Sequence, residues 1–252
     1  MPRYRLTIEY DGTKFFGWQM QADGKGNTVQ GVLTKALEKL HGGERVILYC
    51  AGRTDSGVHA LAQVAHVDLP RAWTGFELCN AINGNVRPHL VSVTHAEEVG
   101  EDFHARFSAI NRHYMFRILN RRAPPTIEMN HVWHVPVHLD ADTMHEAAQY
   151  LIGHHDFSTF RDVQCQAKSP LKTIDKFDVS RYDDMIEVHV EARSFLHQQV
   201  RSMTGSLKKV GDGRWKPIDV KHALDAKNRT ACGPVAPPEG LYLVSVGYEE
   251  IG

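Results

Sequence analysis

Apolar and polar residues alternate from Arg3 to Tyr10, with Tyr4, Leu6, Ile8 and Tyr10 on one side. That period of two predicts a half-buried strand, ended by the turn pair Asp11-Gly12. Val29, Leu33, Leu37 and Leu40 recur at helical spacing and predict a helix capped by Asn27 or Thr28. An apolar run at Val46–Cys50 and a second at Ala62–Leu69 read as strands. A helix near Trp73–Asn83 and a strand near Leu90–Glu97 follow, which makes the order β-α-β-β-α-β.

The second half repeats this plan. Arg112–Leu119 reads as a strand, and Ala141–Ile152 as a helix burying Met144, Ala148 and Leu151. Leu171–Arg181 and Ile186–Ala192 predict an antiparallel pair turning at Tyr182-Asp183-Asp184. Leu196, Val200, Met203, Leu207 and Val210 mark one face of the next helix. A short helix near Ile218–Ala226 and a strand at Leu241–Tyr248 complete the chain. Two split β-α-β plans in succession predict an α/β (α+β) protein with halves at residues 1–105 and 106–252. Loops are expected at Gln21–Asn27, Arg121–His131, Arg161–Ser169 and Gly233–Gly240.

Composition narrows the class. Of 252 residues, 42% are hydrophobic and 23% charged, as in ordinary globular proteins. No apolar run reaches the roughly 18 residues a membrane span needs, and Met1-Pro2-Arg3-Tyr4-Arg5 leads straight into a strand without a signal-peptide core. Cys50, Cys79, Cys165 and Cys232 are scattered and form no CxxC pair, which suits reduced thiols of the cytoplasm. The net charge is only −1, but its distribution is uneven. Ala105–Arg122 holds five basic residues and no acidic one, and Arg193–Arg229 holds nine basic against three acidic. Local patches of this kind can bind phosphates although the whole chain is neutral.

The most informative candidate for chemistry is Gly52-Arg53-Thr54-Asp55-Ser56-Gly57-Val58-His59-Ala60, between two predicted strands. Hydroxyls and backbone N–H groups around Asp55 would hold its carboxylate ionised, and the glycines permit a tight turn or a close backbone approach. An Asx turn would use the same residues, and local spacing does not separate the two readings. On the helix after Phe195, His197, Arg201 and Lys208 share a face, and an arginine there can fork onto a carboxylate or bind phosphate. Tyr114, set among Arg112, His113 and Arg117, suits base stacking or a core position. Sixteen histidines raise the question of a metal, yet His131, His134, His138, His154 and His155 form no HExxH or similar ligand spacing, so no metal site is expected. Neither a Walker A loop nor a GxSxG elbow is present.

Five segments in order resemble the tRNA pseudouridine synthase A family. They are Gly52–Ala60, Arg112-His113-Tyr114, His155–Arg161, Phe195–Met203 and Ala236–Leu243; His113 and Met115 stand where relatives often carry other residues. The resemblance implies that Asp55 is the catalytic aspartate, paired with Arg201. It also implies that Tyr114 lies against the target uracil, that Arg53 binds substrate, and that Leu241 or Leu243 lines the base pocket. The implied fold is two RRM-like, ferredoxin-like halves sharing one extended, mainly antiparallel sheet with flanking helices and a central cleft. The implied activity is isomerisation of uridine to pseudouridine at positions 38, 39 and 40 of the tRNA anticodon arm. Members act as cytoplasmic homodimers with neither metal nor organic cofactor, and DNA and membranes are not expected partners. A non-catalytic tandem RNA-binding module is the competing reading, although binding alone needs no Arg-Thr-Asp loop.

Overall fold

The computed structural model describes residues 1–20 and 26–249, so most of the expected loop at Gln21–Asn27 lies outside the described residues. The chain divides into two units, one formed by Met1–Ile110 with Leu243–Gly252 and the other by Asn111–Tyr242. Both are mixed α/β, with mainly antiparallel strands and packed helices.

In the first unit β1 (Arg3–Tyr10) lies between β3 (His59–Asp68) and β4 (Val91–Val99), antiparallel to both. The edge strand β2 (Leu48–Cys50) also pairs β3, and β10 (Leu241–Tyr248) follows β3 in the strand order. Alternation on β1 is as the sequence predicts: Tyr4, Leu6 and Ile8 are fully buried, whereas Arg5 and Glu9 are not. Tyr4 satisfies its hydroxyl by donating to the Trp73 carbonyl (3.0 Å) and accepting the Trp73 N–H (2.8 Å). Helix α1 (Val29–Leu40) starts where Thr28 accepts the Gly31 N–H, and it buries Val29, Leu33 and Leu37. Helix α2 (Gly75–Val86) opens with a capping box between Thr74 and Glu77, buries Leu78 and Ile82, and packs on β4 and α1. Burying a side chain of this size contributes roughly 1.5–3 kcal/mol, which outweighs the cap at about 1 kcal/mol. Packing therefore decides where these helices lie, and the caps decide where they begin.

In the second unit the strand order is β5 (Ala109–Leu119), β9 (Met185–Ala192), β8 (Leu171–Tyr182) and β7 (Gly153–Asp156). A two-residue β6 (Trp133–His134) runs parallel to β5. The β8–β9 turn has Asp183 at φ 51°, the left-handed geometry that Asp tolerates better than most residues. Phe116 and Ile118 on β5 face the same way as Val188 and Ile186 opposite them, and all four are fully buried. Helices α3 (Ala141–Gln149), α4 (Gln199–Gly211) and α5 (Pro217–Ala226) bury Met144, Met203, Leu207 and Leu224. No helix among the described residues is long and apolar enough to cross a membrane, and all four cysteines are free thiols.

Candidate active site

The Asp55 loop joins β2 to β3, and the chain from Tyr10 to Trp18 braces it. The Val58 N–H donates to the Asp55 carbonyl (3.2 Å) and Gly57 sits at φ +79°, so a main-chain bond closes the turn. The Trp18 N–H donates to the Thr54 carbonyl (3.0 Å), and the Gly57 N–H and the Ser56 hydroxyl both donate to the Phe15 carbonyl (3.3 and 3.2 Å). The buried Tyr10 hydroxyl lies 2.8 Å from Thr54 Oγ1. Gln63 Nε2 donates to the Gly52 carbonyl (2.7 Å), fixing the other end of the loop. Two glycines make this approach possible. A Cβ on Gly12 would stand 2.1 Å from the Val58 oxygen, and one on Gly17, at φ +81°, would stand 2.7 Å from the Thr54 oxygen. The Gly12 N–H in turn donates to Nδ1 of buried His59 (3.0 Å). Asp55 itself is half-buried, and Arg53 is exposed.

Burial also sets the titration of two side chains near the loop. Burial pushes the Cys50 thiol up to about 11, although Arg53 and Arg106 pull the other way. The thiol is thus protonated near neutrality and a poor nucleophile. Burial also holds His66 down at about 4, helped by His104 and Arg3, and its Nδ1 accepts the Ala105 N–H (3.1 Å). Because this lies below the ordinary 6.5, the unfolded chain binds the proton more tightly, so stability falls as pH drops from about 6.5 toward 4. The Tm is expected to fall as pH drops across that window, and less steeply in His66→Gln; equal slopes would remove His66 as the cause.

The second unit presents its candidates separately. Tyr114 is half-buried on β5 opposite Val190, with its ring edge-on to Phe195 at 5.2 Å. Arg112 is buried and donates to the Arg193 carbonyl. Arg201 lies in the first turn of α4, where its Nε donates to the Ala236 carbonyl (2.8 Å) and the Ala236 N–H donates back to the Arg201 carbonyl (3.0 Å). That exchange needs the segment from Gly233 to Ala236 laid directly on the helix, and Gly205 permits it: a Cβ there would fall 1.7 Å from the Pro234 oxygen. Leu241 and Leu243 are both buried, and between them the Tyr242 hydroxyl donates to the His131 carbonyl (2.7 Å). Just before them, Gly240 abuts Phe116, whose ring would meet an added Cβ at 2.5 Å.

Several charged residues are placed differently from the sequence reading. His197 precedes α4, because Gln198 at φ 58° separates it from the helix, and it contacts Asp162 at 3.4 Å. Lys208 clamps the nearly buried Asp212 at 2.7 Å, an i, i+4 pair that closes the end of α4. Arg117 forks onto Glu128 (2.9 and 3.2 Å), Arg121 faces Asp184, and Arg229 donates to the Thr159 carbonyl. Much of each basic run is therefore spent within the fold. The histidines behave similarly: His134 bonds the Arg121 carbonyl, His154 bonds Thr173, and His155 bonds the Ile152 carbonyl.

A two-unit α/β chain carrying a braced carboxylate loop, a basic-flanked tyrosine and a helix-borne arginine has the parts of a base-modifying RNA enzyme. The family model described as tRNA pseudouridine synthase matches residues 6–108 and again residues 147–249, one copy in each half. The tRNA pseudouridine synthase A of Parvibaculum lavamentivorans is 58% identical over 249 residues, covering 99% of this chain and all of that protein. Those of Sinorhizobium fredii and Mesorhizobium japonicum are 55% and 57% identical over 250 residues, each covering 98% of this chain and all of the relative. This chain belongs to the tRNA pseudouridine synthase family.

Proposed function

We propose that this protein isomerises uridine to pseudouridine in tRNA, at positions 38, 39 and 40 of the anticodon arm, with Asp55 as its essential residue. The observation that carries the reading is the Asp55 loop, held by two glycine-permitted backbone contacts and the Tyr10–Thr54 bond. Main-chain bonds of that number fix where a carboxylate starts from, which is what positioning a reacting group requires. Full-length identity of 55–58% to proteins named for this activity supports the same reaction.

The reaction cuts the bond from uracil N1 to ribose C1′, turns the base and rejoins it through C5. Asp55 attacks C1′, assists loss of the base with removal of a ribose proton, or adds to uracil C6; each route needs an ionised carboxylate. Arg201, its plane set by the Ala236 carbonyl, is the proposed ion-pair partner that keeps Asp55 ionised and aimed. Tyr114 stacks on the base, Arg53 meets the backbone beside it, and Leu241 or Leu243 supplies an apolar wall. Extracting the target from a stem costs a few kcal/mol, which contacts to the flipped nucleotide must offset. On this reading the enzyme works on tRNA in the cytoplasm as a homodimer, without metal or organic cofactor.

Site mapping on an unmodified tRNA pool tests the positional assignment: product elsewhere than 38–40 overturns it, and tRNA binding without product favours a binding module. Tyr114→Ala is expected to lower kcat/KM by about 5- to 150-fold, since stacking is worth about 1–3 kcal/mol per base. Tyr114→Phe keeps the stack and loses only what the hydroxyl contributes, so the pair measured in single turnover separates stacking from proton transfer.

A further inference from the structure

An exposed aromatic cluster in the first unit has no part in the chemistry described above. Phe107 is 72% exposed and Tyr49 46%, and His104 joins them, with ring centroids 4.4 Å from Phe107 and 5.5 Å from Tyr49. One face of Tyr49 lies flat on buried His66, at 5.0 Å and 14°. The support is rigid. His104 Nδ1 accepts the N–H groups of Arg106 and Phe107 (3.2 and 3.4 Å), and the Ser108 N–H donates to the His104 carbonyl (2.9 Å). A turn tied in this way holds Phe107 outward with its ordering entropy already spent, as a binding surface requires.

The charge beside these rings is positive. The Arg106 guanidinium lies 5.9 Å from the Phe107 centroid, and Arg53, also exposed, acts with Arg106 on the same Cys50 thiol. The carboxylate of Asp68 is forked by Arg3 at 2.7 and 2.9 Å. Tyr49 is the residue before Cys50 on β2, the strand that runs into the Asp55 loop. Open rings beside guanidinium groups match an unpaired nucleobase and its phosphate, whereas a protein partner of mostly apolar character would leave two cations buried.

We propose that Tyr49, His104 and Phe107, with Arg106, form a second nucleotide platform that stacks an unpaired base of the RNA outside the reacting position. The proposal rests on the reading of this protein as an RNA-modifying enzyme, and its test is a binding measurement that stands apart from turnover. Wild type, Phe107→Ala, Phe107→Trp and Arg106→Ala would be titrated with an unmodified tRNA transcript at several salt concentrations. Phe107→Ala is expected to raise Kd about tenfold with its salt dependence unchanged, and Phe107→Trp to restore it. Arg106→Ala is expected to weaken binding and to reduce the slope of log Kd against log salt by about 0.7–0.9. An unchanged Kd in Phe107→Ala overturns the platform. So does a Phe107→Ala protein whose sedimentation shows a lost assembly, because the patch would then join two copies of this chain. If wild type binds tRNA and the variants behave as expected but no pseudouridine forms, the platform stands and the proposed reaction falls.

Discussion

Asp55→Asn is expected to cut pseudouridine formation at least about a thousandfold while tRNA binding stays within a few-fold of wild type. The size follows from the range seen when a positioned acid–base group is lost, about 100- to 10,000-fold, and a nucleophilic role would place it at the top. The substitution keeps the shape of the side chain and removes its charge. The brace does not need that charge, since Trp18, Ser56 and Gly57 hold the loop through main-chain carbonyls and Tyr10 through the Thr54 hydroxyl. Thermal unfolding of the variant should accordingly remain close to wild type. Tritium release from tRNA labelled at uracil C5 reads the reaction, and filter retention reads binding. Turnover near wild type would remove Asp55 from every one of the three routes. Loss of binding alongside turnover would instead make it a structural residue.

Gly12→Ala should have the next largest effect, without touching any residue proposed to meet the substrate. Its new Cβ would stand 2.1 Å from the Val58 oxygen, 2.5 Å from the Val58 carbonyl carbon and 2.9 Å from the Gly57 carbonyl carbon. These are backbone atoms, so no rotamer change relieves the clash, and the turn that carries Asp55 has to move. Overpacking of this kind costs about 1–3 kcal/mol, and a displacement near 1 Å at a reacting group costs about 100-fold in rate. The expected result is a kcat at least about 100-fold lower with a modestly reduced Tm. Gly84→Ala is the control: it is an exposed position of α2 with nothing within 4 Å of an added Cβ, and it should gain about 0.5–1 kcal/mol at full activity. Equal behaviour of the two variants would mean that the Gly12 contact does not position the loop.

Much of the architecture was legible because it is local. β1 and β10 have the limits that their alternation and apolar run predict, and Thr28 caps α1 at the expected step. α4 begins later than its apolar periodicity from Leu196 suggests, since Gln198 adopts a left-handed φ that neither glycine nor proline announces. β7 escaped notice because Gly153-His154-His155-Asp156 has no strand pattern, and its pairing with β8 comes from the neighbour. The Asp55 motif was visible, but its brace was not. Gly12, Gly17 and Trp18 are close to the loop only in space, and a glycine in a sequence says that something approaches without saying what. The partners within the basic runs were hidden for a related reason: Glu128, Asp184 and Asp212 meet Arg117, Arg121 and Lys208 only after folding.

The last strand carries a consequence for synthesis. Val246 and Tyr248 pack against the cluster of Ala51, Val64, Phe103 and Ala105, and the Tyr248 hydroxyl donates to the Ala105 carbonyl at 2.7 Å. Everything from Asn111 to Tyr242 must leave the ribosome before this strand can be added to the unit made first. The half that holds Asp55 is therefore begun first and completed last, and a nascent chain stalled before Leu243 leaves part of that core uncovered.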